Sequence, residues 1–310
     1  MNTEMSIIIP AYNEEENIEL IVEELEKVVN KLNISYELVF VDDGSKDKTW
    51  NKISKIGENN KNIKGIKFSR NFGKESAIFA GLNYAKGKCC AVIDSDLQHP
   101  PETLIEMYGF WKNGYDVIEG IKLERGKENK LYKWFSKLFY KLMSISTKVD
   151  MEKTSDFKLL DRKAVDEIIA LPEKNMFFRA MSSWVGFKTI TVGYQVQERA
   201  AGNSKWSTFG LIKYAIRNIV SFSTAPLQIV TFLGLLFLVF TIFLGIHSLY
   251  KYFSGQALGG FTTIILLQLI TGSITMLSLG IIGMYISAIY DEVKNRNRYI
   301  VEKSVNIMDN

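Results

Sequence analysis

The residues best suited to chemistry follow a short apolar run in the first third of the chain. Residues 89–93 show no polar alternation and therefore predict a strand buried on both faces of a sheet. Asp94, Asp96 and Gln98 come directly after this strand. In an extended chain alternate side chains point the same way, so these three oxygen-bearing groups would form one row. Such a row suits Mg²⁺ or Mn²⁺, which prefer oxygen ligands, and the alternative is a polar loop turned by the following proline pair.

Two further polar clusters follow predicted strands nearer the amino terminus. Tyr12 and Glu14 come after a strand at residues 6–10, and Asp42 begins a cluster after a strand at residues 36–41. Asn13 is predicted to cap the helix that follows the first cluster. Strands and helices alternate, which predicts an α/β fold with a mostly parallel sheet and right-handed crossovers. All three clusters should then gather at the carboxyl edge of that sheet.

Several classes of site are disfavoured. The chain has no Gly-x-Gly-x-x-Gly segment and no Walker lysine loop, which argues against a dinucleotide or P-loop site. A nucleotide bound without such a loop needs another counter-charge, and a metal on Asp94 and Asp96 would supply it. Cys89 and Cys90 are adjacent in a predicted buried strand, so neither a disulfide framework nor a cysteine metal pair is supported.

The carboxyl-terminal third differs sharply in charge. Between Arg217 and Lys251 no charged residue appears, and none appears again until Asp291. Apolar stretches at residues 226–250 and 261–290 each exceed the roughly 20 residues that a helix needs to cross a bilayer. The link between them carries one lysine whereas the tail after them is basic. The positive-inside rule therefore predicts a multi-pass protein of the cell membrane with its first domain and both termini in the cytoplasm.

A lysine-rich amphipathic stretch lies between the predicted site and these apolar segments. Residues 130–148 predict a helix with one apolar face and a row formed by Lys133, Lys137 and Lys141. This pattern suits a helix that lies in the bilayer interface with its lysines toward anionic headgroups. The alternative is an ordinary surface helix packed on the domain.

Four segments stand out in order along the chain: Ser6-Ile-Ile-Ile-Pro-Ala-Tyr-Asn-Glu14, Val41-Asp-Asp-Gly-Ser45, Asn71-Phe-Gly-Lys74 and Asp94-Ser-Asp-Leu-Gln-His-Pro-Pro101. Together they resemble family 2 glycosyltransferases. The closer similarity is to the polyprenyl-phosphate branch, which includes dolichol-phosphate mannosyltransferases and bactoprenol glucosyltransferases. The resemblance implies a GT-A domain at residues 1–205, a juxtamembrane amphipathic helix at 206–225, two transmembrane helices within 226–290 and a basic cytoplasmic tail at 291–310.

The resemblance assigns the donor side of the site. Pro10, Tyr12 and Glu14 would line the base pocket, and the carboxylates of the second segment would accept hydrogen bonds from the base and ribose, unless that segment is a simple turn. The implied donor-binding set is Pro10, Tyr12, Glu14, Asp42, Asp43, Asp94, Ser95 and Asp96. The implied metal ligands are Asp94, Asp96 and Gln98, with Mg²⁺ or Mn²⁺ bridging the diphosphate of the donor.

The resemblance also assigns the acceptor side. Asp156 matches an acceptor-side catalytic aspartate and, with Asp96, completes the implied catalytic pair, while Ser155 and Lys158 replace a common glycine and arginine. A lipid monophosphate, with a second pKa of about 6, is largely ionised at neutral pH, so Asp156 either takes a residual proton or orients the acceptor. A solvated surface aspartate is the alternative. The implied acceptor-phosphate contacts are Arg125, Arg199, Ser204 and Lys205. Arg179 and Trp184 match family positions that we interpret as structural support.

The implied reaction is inverting transfer of a hexose to undecaprenyl phosphate for cell-envelope glycosylation, with UDP-glucose as the favoured donor. UDP-N-acetylglucosamine, UDP-galactose, GDP-mannose or an amino-sugar nucleotide are alternative donors. A membrane-tethered binding module with a dead active site is the alternative from another class. A glycan-extending synthase is disfavoured because two spans leave no room for a polymer channel. The implied partners are the membrane, the sugar nucleotide and the lipid, in a homo-oligomer such as a tetramer, with no nucleic acid.

Overall fold

A computed structural model describes residues 3–123, 154–174, 177–195, 219–220, 223–255 and 260–307 of the protein. The predicted interfacial helix at residues 130–148 lies outside these ranges, as does most of the predicted juxtamembrane helix at residues 206–225. The chain divides into two compact units, one formed by Met1–Gly210 with Arg296–Asn310 and the other by Leu211–Asn295.

The first unit is built on a mixed sheet. In the described residues its strands are β1 (Met5–Ala11), β2 (Tyr36–Asp42), β3 (Ile63–Phe68), β4 (Cys89–Val92), β5 (Val117–Lys122), β6 (Lys158–Asp161), β7 (Thr189–Tyr194) and β8 (Val301–Val305). They lie in the order β7-β5-β6-β4-β1-β2-β3-β8. The central strands β4, β1, β2 and β3 are mutually parallel, and β6 runs antiparallel to both β4 and β5. The predicted α/β class with a mostly parallel sheet is confirmed.

Helices cover the sheet. They are α1 (Ile18–Leu32), α2 (Thr49–Asn59), α3 (Lys74–Tyr84), α4 (Thr103–Lys112), α5 (Arg162–Ala170) and α6 (Phe178–Trp184). Every residue of β1 and of β4 is buried, as expected for central strands that are covered on both faces. Helix α1 buries an apolar stripe with helical spacing against the core, and that burial stabilises the helix on the sheet.

The second unit consists mainly of two long apolar helices, α7 (Ala225–Phe253) and α8 (Phe261–Val293). Within the described residues, Ala225–Phe253 and Thr263–Val293 are long and apolar enough to cross a membrane. No residue of α7 is buried within the protein, although the helix is rich in leucine and phenylalanine. Such exposed apolar surface is typical of helices that lie in lipid.

The carboxyl-terminal residues return to the first unit. Strand β8 pairs antiparallel with β3 at the edge of the sheet. The Tyr299 ring stacks on Phe68 with 5.0 Å between ring centroids, and Asn306 donates a hydrogen bond to the Ile63 carbonyl at 2.8 Å. The sequence predicts only a basic tail here, and the edge strand is not apparent from the sequence pattern.

Candidate functional site

The topology brings the polar clusters that follow β1, β2 and β4 to one edge of the sheet. These strands are neighbours and parallel, with Ala11 paired to Asp42 and Ile8 paired to Val92. The loops after them therefore start side by side at the carboxyl edge, where open α/β sheets bind ligands. Pro10 is a buried residue within β1, and Tyr12 lies just beyond the strand end.

Asn13 joins the first loop to the second. Its backbone N–H donates to Ser45 Oγ at 2.8 Å, and its side-chain Oδ1 accepts from the Lys46 N–H at 2.8 Å. The prediction that Asn13 caps α1 is wrong, because the helix begins at Ile18 and Asn13 has a left-handed backbone with φ of 53°. Asparagine tolerates that conformation better than most residues, which suits it to this turn.

Asp42 is fully buried at the end of β2. Its Oδ1 accepts from the Ser45 N–H at 2.8 Å, whereas Oδ2 has no hydrogen-bond partner within the described part of the chain. Burial raises the pKa of this carboxyl group. An unsatisfied buried acceptor calls for a donor, and an N–H or O–H group of a ligand would meet that need.

Asp43 supports the neighbouring loop. Its Oδ1 accepts from the Phe72 N–H at 2.7 Å and its Oδ2 from the Gly73 N–H at 2.9 Å. Burial raises the pKa of Asp43 to about 6. Gly44 has φ of 71°, and a Cβ there would lie 2.4 Å from the carbonyl carbon of Arg70. Only glycine permits this approach, so Asp43 and Gly44 together fix the loop that leads into α3.

The loop after β4 is turned, so the predicted extended row of oxygen ligands is wrong. Asp94 and Asp96 are half-buried, whereas Ser95 is buried at 5% exposure. The backbone turns at Asp96, and the following Leu97 has φ of 58°. The Gln98 N–H donates to Asp96 Oδ1 at 3.2 Å, a local bond of the kind that aspartate makes in turns. The position of the Gln98 side chain is therefore not set by strand alternation.

Asp94 and Asp156 face each other across two strands. Strands β4 and β6 pair antiparallel with Val92 opposite Lys158, so the same register extended by two residues places Asp94 opposite Asp156. Lys74 Nζ lies 2.6 Å from Asp94 Oδ1 and 2.8 Å from Asp156 Oδ2. The first residue of α3 therefore bridges a carboxylate that follows β4 and a carboxylate that precedes β6.

Arg179, from α6, completes this cluster. Its Nε donates to Asp156 Oδ1 at 2.7 Å and its Nη2 donates to Asp156 Oδ2 at 3.0 Å. Although burial alone would raise the pKa of Asp156, the Arg179 guanidinium and the Lys74 ammonium hold it well below its usual range. A carboxylate so strongly stabilised in its charged form is a weak proton acceptor. Trp184, by contrast, lies at the end of α6 with 63% of its surface exposed.

Sequence reasoning assigned no role to Lys74 or Glu75. Glu75 accepts a hydrogen bond from the Phe178 N–H at 2.8 Å, and burial raises its pKa to about 7. The sequence did point to Lys74, because it ends the segment Asn71-Phe-Gly-Lys74, one of the four that resemble family 2 glycosyltransferases. Its partners became visible only when the register of β4 and β6 was known.

The residues at this edge fit part of a divalent metal site. Within the described ranges, no three His, Cys, Asp or Glu side chains group closely enough to hold a metal ion alone. Asp94 and Asp96 offer two partly exposed carboxylates on one loop. Mg²⁺ commonly binds through one or two carboxylates plus phosphate and water oxygens, so this donor set fits a metal brought with a diphosphate. Arg125, Arg199, Ser204 and Lys205 lie outside the described residues.

The sequence is similar to glycosyltransferases along nearly its whole length. The family profile for glycosyl transferase family 2 matches residues 6–169. The chain is 41% identical to the uncharacterized glycosyltransferase YkcC of Bacillus subtilis (strain 168), over 97% of this chain and 94% of that protein. It is 35% identical to the bactoprenol glucosyl transferase of Shigella phage SfII, over 97% of this chain and 98% of that protein.

The fold is similar to that of glucosyl-3-phosphoglycerate synthase from Mycobacterium tuberculosis, whose crystal structure contains Mn²⁺ and UDP-glucose. The TM-score is 0.50 at 18% identity, over 70% of this chain and 77% of that chain. This likeness concerns the fold, and it confirms the expected GT-A architecture. The family profile spans more than half of the chain. The Bacillus subtilis and Shigella phage relatives each align with almost the whole chain. The chain therefore belongs to glycosyl transferase family 2 and is a glycosyltransferase.

Proposed function

We propose that this enzyme transfers glucose from UDP-glucose to undecaprenyl phosphate and inverts the configuration at the anomeric carbon. The observation that carries the proposal is the single Lys74 ammonium between Asp94 and Asp156, because it joins the carboxylates that would serve the donor and the acceptor. The similarity to bactoprenol glucosyl transferases over nearly the whole chain supports both the lipid acceptor and glucose.

The donor side lies along β1, β2 and β4. The unsatisfied Oδ2 of Asp42 would accept from the base, while Pro10, Tyr12 and Glu14 would line the pocket around it. Asp43 would act indirectly, through the loop backbone that it binds. Asp94, Asp96 and Gln98 would hold Mg²⁺ or Mn²⁺ with the diphosphate, and Ser95 would line the same loop. When bound, the metal would supply positive charge where negative charge develops on the departing nucleoside diphosphate.

The acceptor side centres on Asp156. The lipid phosphate is largely ionised at neutral pH and needs little help from a base. Asp156 would instead orient Arg179 and Lys74 toward that phosphate, with Arg125, Arg199, Ser204 and Lys205 as further contacts. Arginine can grip a phosphate with two parallel hydrogen bonds. Attack from the face opposite the leaving diphosphate would convert an α-linked donor into a β-linked lipid product.

The pairing of strand β8 limits how many times the chain can cross the membrane. It follows α8 in sequence but pairs with β3, which precedes α7. One sheet folds in one aqueous compartment, so the chain must cross the membrane an even number of times between them. Two transmembrane helices satisfy this condition. We place the catalytic domain and both termini in the cytoplasm of a cell-membrane protein, where sugar nucleotides are available, and we propose a homo-oligomer.

The test is to incubate the purified full-length protein with undecaprenyl phosphate and a panel of sugar nucleotides, then identify the glycolipid by mass spectrometry. The proposal predicts a hexosyl product from UDP-glucose that needs Mg²⁺ or Mn²⁺ and is lost in Asp96→Ala. A product only from UDP-N-acetylglucosamine, UDP-galactose, GDP-mannose or an amino-sugar nucleotide would replace the proposed donor. Binding of a donor with no product from any of them would indicate a binding module.

A further inference from the structure

The cluster around Asp94 contains one flexible cation, Lys74, in contact with a carboxylate that we assign to the metal-bound donor. Lys74 and Asp94 have side chains that are 35% and 28% exposed, whereas Asp156 is 9% exposed. The Lys74 ammonium lies 2.6 Å from Asp94 Oδ1, within direct hydrogen-bonding distance. Two carboxylates that face each other repel unless a cation lies between them, and Lys74 supplies that cation.

We propose that Lys74 is a resident cation that a divalent metal displaces from Asp94 when the donor binds, and that Lys74 keeps its bond to Asp156. The inference rests on the proposed function, since it takes Asp94 as a ligand of the donor's metal. A metal and an ammonium close to one carboxylate repel each other, so each weakens the binding of the other. Lys74 is thus a positioning residue whose ammonium exchanges one anionic partner for another.

The fold allows the ammonium to move while its helix stays in place. The backbone before Lys74 is fixed by Asp43, which accepts hydrogen bonds from Phe72 and Gly73. The Ala77 N–H donates to the Gly73 carbonyl at 3.2 Å and continues this anchoring into α3. The lysine side chain has a flexible four-carbon stem and rotatable donors, so its ammonium can reorient without a backbone shift.

The displaced ammonium would have a new anionic partner close by. Asp156 would keep it in the cleft, with Arg179 fixed on the other edge of the same carboxylate. Phosphate oxygens that enter between Asp94 and Asp156 would then accept hydrogen bonds from the Lys74 ammonium. Donor binding would therefore prepare a phosphate-binding cation beside Asp156, which predicts that the sugar nucleotide binds before the lipid phosphate.

The test is a Mn²⁺ titration of the full-length protein in detergent, with free Mn²⁺ measured by electron paramagnetic resonance in the absence of nucleotide. Lys74→Met should bind Mn²⁺ about tenfold more tightly than the wild type, since it removes the competing cation. Lys74→Arg keeps the charge and should bind like the wild type. Lys67→Met is the matched control, because Lys67 on β3 is also partly exposed and pairs with a carboxylate, that of Glu302 on β8, at 3.0 Å.

Two results would overturn the inference. One is a Lys74→Met protein that keeps its circular dichroism spectrum and thermal midpoint but binds Mn²⁺ no more tightly than the wild type. The other is an equal gain in Lys67→Met, which would show a general charge effect. Asp94→Asn, which should lose Mn²⁺ binding, checks the metal site itself. A wild type that makes the glycolipid while Lys74→Met fails to gain affinity contradicts the Lys74 inference alone, whereas a wild type that makes no glycolipid contradicts the proposed function.

Discussion

Two charged clusters are built on the same stretch of chain, and they differ in access to solvent. Asp156 binds Lys74 and Arg179, whose side chains are 35% and 28% exposed. Two residues later, Lys158 is completely buried, where it binds Glu119 and lies 2.6 Å from Ser182 Oγ. Both clusters pair opposite charges, but only the first has cations that a ligand can reach. The solvent exposure of the cations, more than ion pairing as such, distinguishes the candidate site from the buried Lys158 cluster.

The buried pair is a fixed part of the sheet. Glu119 on β5 is the register partner of Lys158 on β6, so the ion pair crosses directly between two strands. Burial lowers the pKa of Lys158, and the Glu119 carboxylate opposes that change. The resemblance leads one to expect arginine at this position, and the lysine found there keeps the charge. Removing one member of such a pair leaves the other buried without a counter-ion.

The largest effect should come from breaking this buried pair. Lys158→Met leaves the Glu119 charge uncompensated and should lower the free energy of unfolding by about 3–5 kcal/mol. Denaturant unfolding in detergent measures it, and transfer activity per folded molecule should change little. Lys163→Met is the control, because the Lys163 pair with Asp116 involves a lysine side chain that is 57% exposed. Equal destabilisation in both variants would contradict the comparison.

The opposite pattern is expected at the exposed cluster. Asp94→Asn should slow transfer by roughly 10²–10³-fold, because under the proposed function it weakens binding of the metal whose positive charge would stabilise the departing diphosphate. The free energy of unfolding should change much less than in Lys158→Met. Initial rates at saturating donor and lipid measure the effect, with Asp166→Asn as a control at an exposed helix position. A rate within a few-fold of the wild type would remove Asp94 from the site.

Arg179→Lys sharpens the comparison within the exposed cluster. The substitution keeps the positive charge but loses the two-point contact with Asp156, at 2.7 Å and 3.0 Å. We expect transfer to slow about tenfold, since lysine cannot reproduce the planar arrangement of donors. The same steady-state assay measures it. An unchanged rate would indicate that Arg179 only supports the structure, as its match to a family position was first interpreted.

Asp43, which belongs to neither cluster, should cause a smaller effect, a dependence of the free energy of unfolding on pH. Its folded pKa of about 6 lies above its unfolded value, so the native state binds more protons than the unfolded state between these values. The free energy of unfolding should therefore rise by about 1 kcal/mol as the pH falls from about 7 to about 5. Glu75, with its pKa raised to about 7, acts in the same direction.

The pH effect can be assigned to its source by substitution. Asp43→Asn should remove part of the gain in thermal midpoint on acidification, and Glu75→Gln another part. A slope that persists unchanged in the double variant Asp43→Asn/Glu75→Gln would show that other groups cause it.

Sequence patterns predicted the central elements well. Strands β1, β2 and β4 differ from the predicted strands at residues 6–10, 36–41 and 89–93 by no more than one residue at either end. These elements are predictable because burial on both faces and helical periodicity are properties of a single segment. The alternation of strands and helices along the chain was enough to predict that Asp42 and Asp94 lie at the same edge of the sheet.

What the sequence did not reveal depends on contacts between distant segments. The bridge from Lys74 to Asp156 joins residues 82 positions apart and needs the antiparallel register of β4 and β6. Strand β8 pairs with β3 from beyond both apolar helices. The turn at Asp96 replaced the expected extended row because a local side-chain bond to the Gln98 backbone competes with strand geometry.

The most direct test of a single transfer site is a double-mutant cycle on Asp94 and Asp156. Single-turnover transfer of glucose to undecaprenyl phosphate would be measured for the wild type, Asp94→Asn, Asp156→Asn and the double variant. If both carboxylates serve the same transfer step in one site, the double variant should be hardly slower than the slower single variant. Two losses that multiply in full would mean that Asp94 and Asp156 act independently, and would contradict the account.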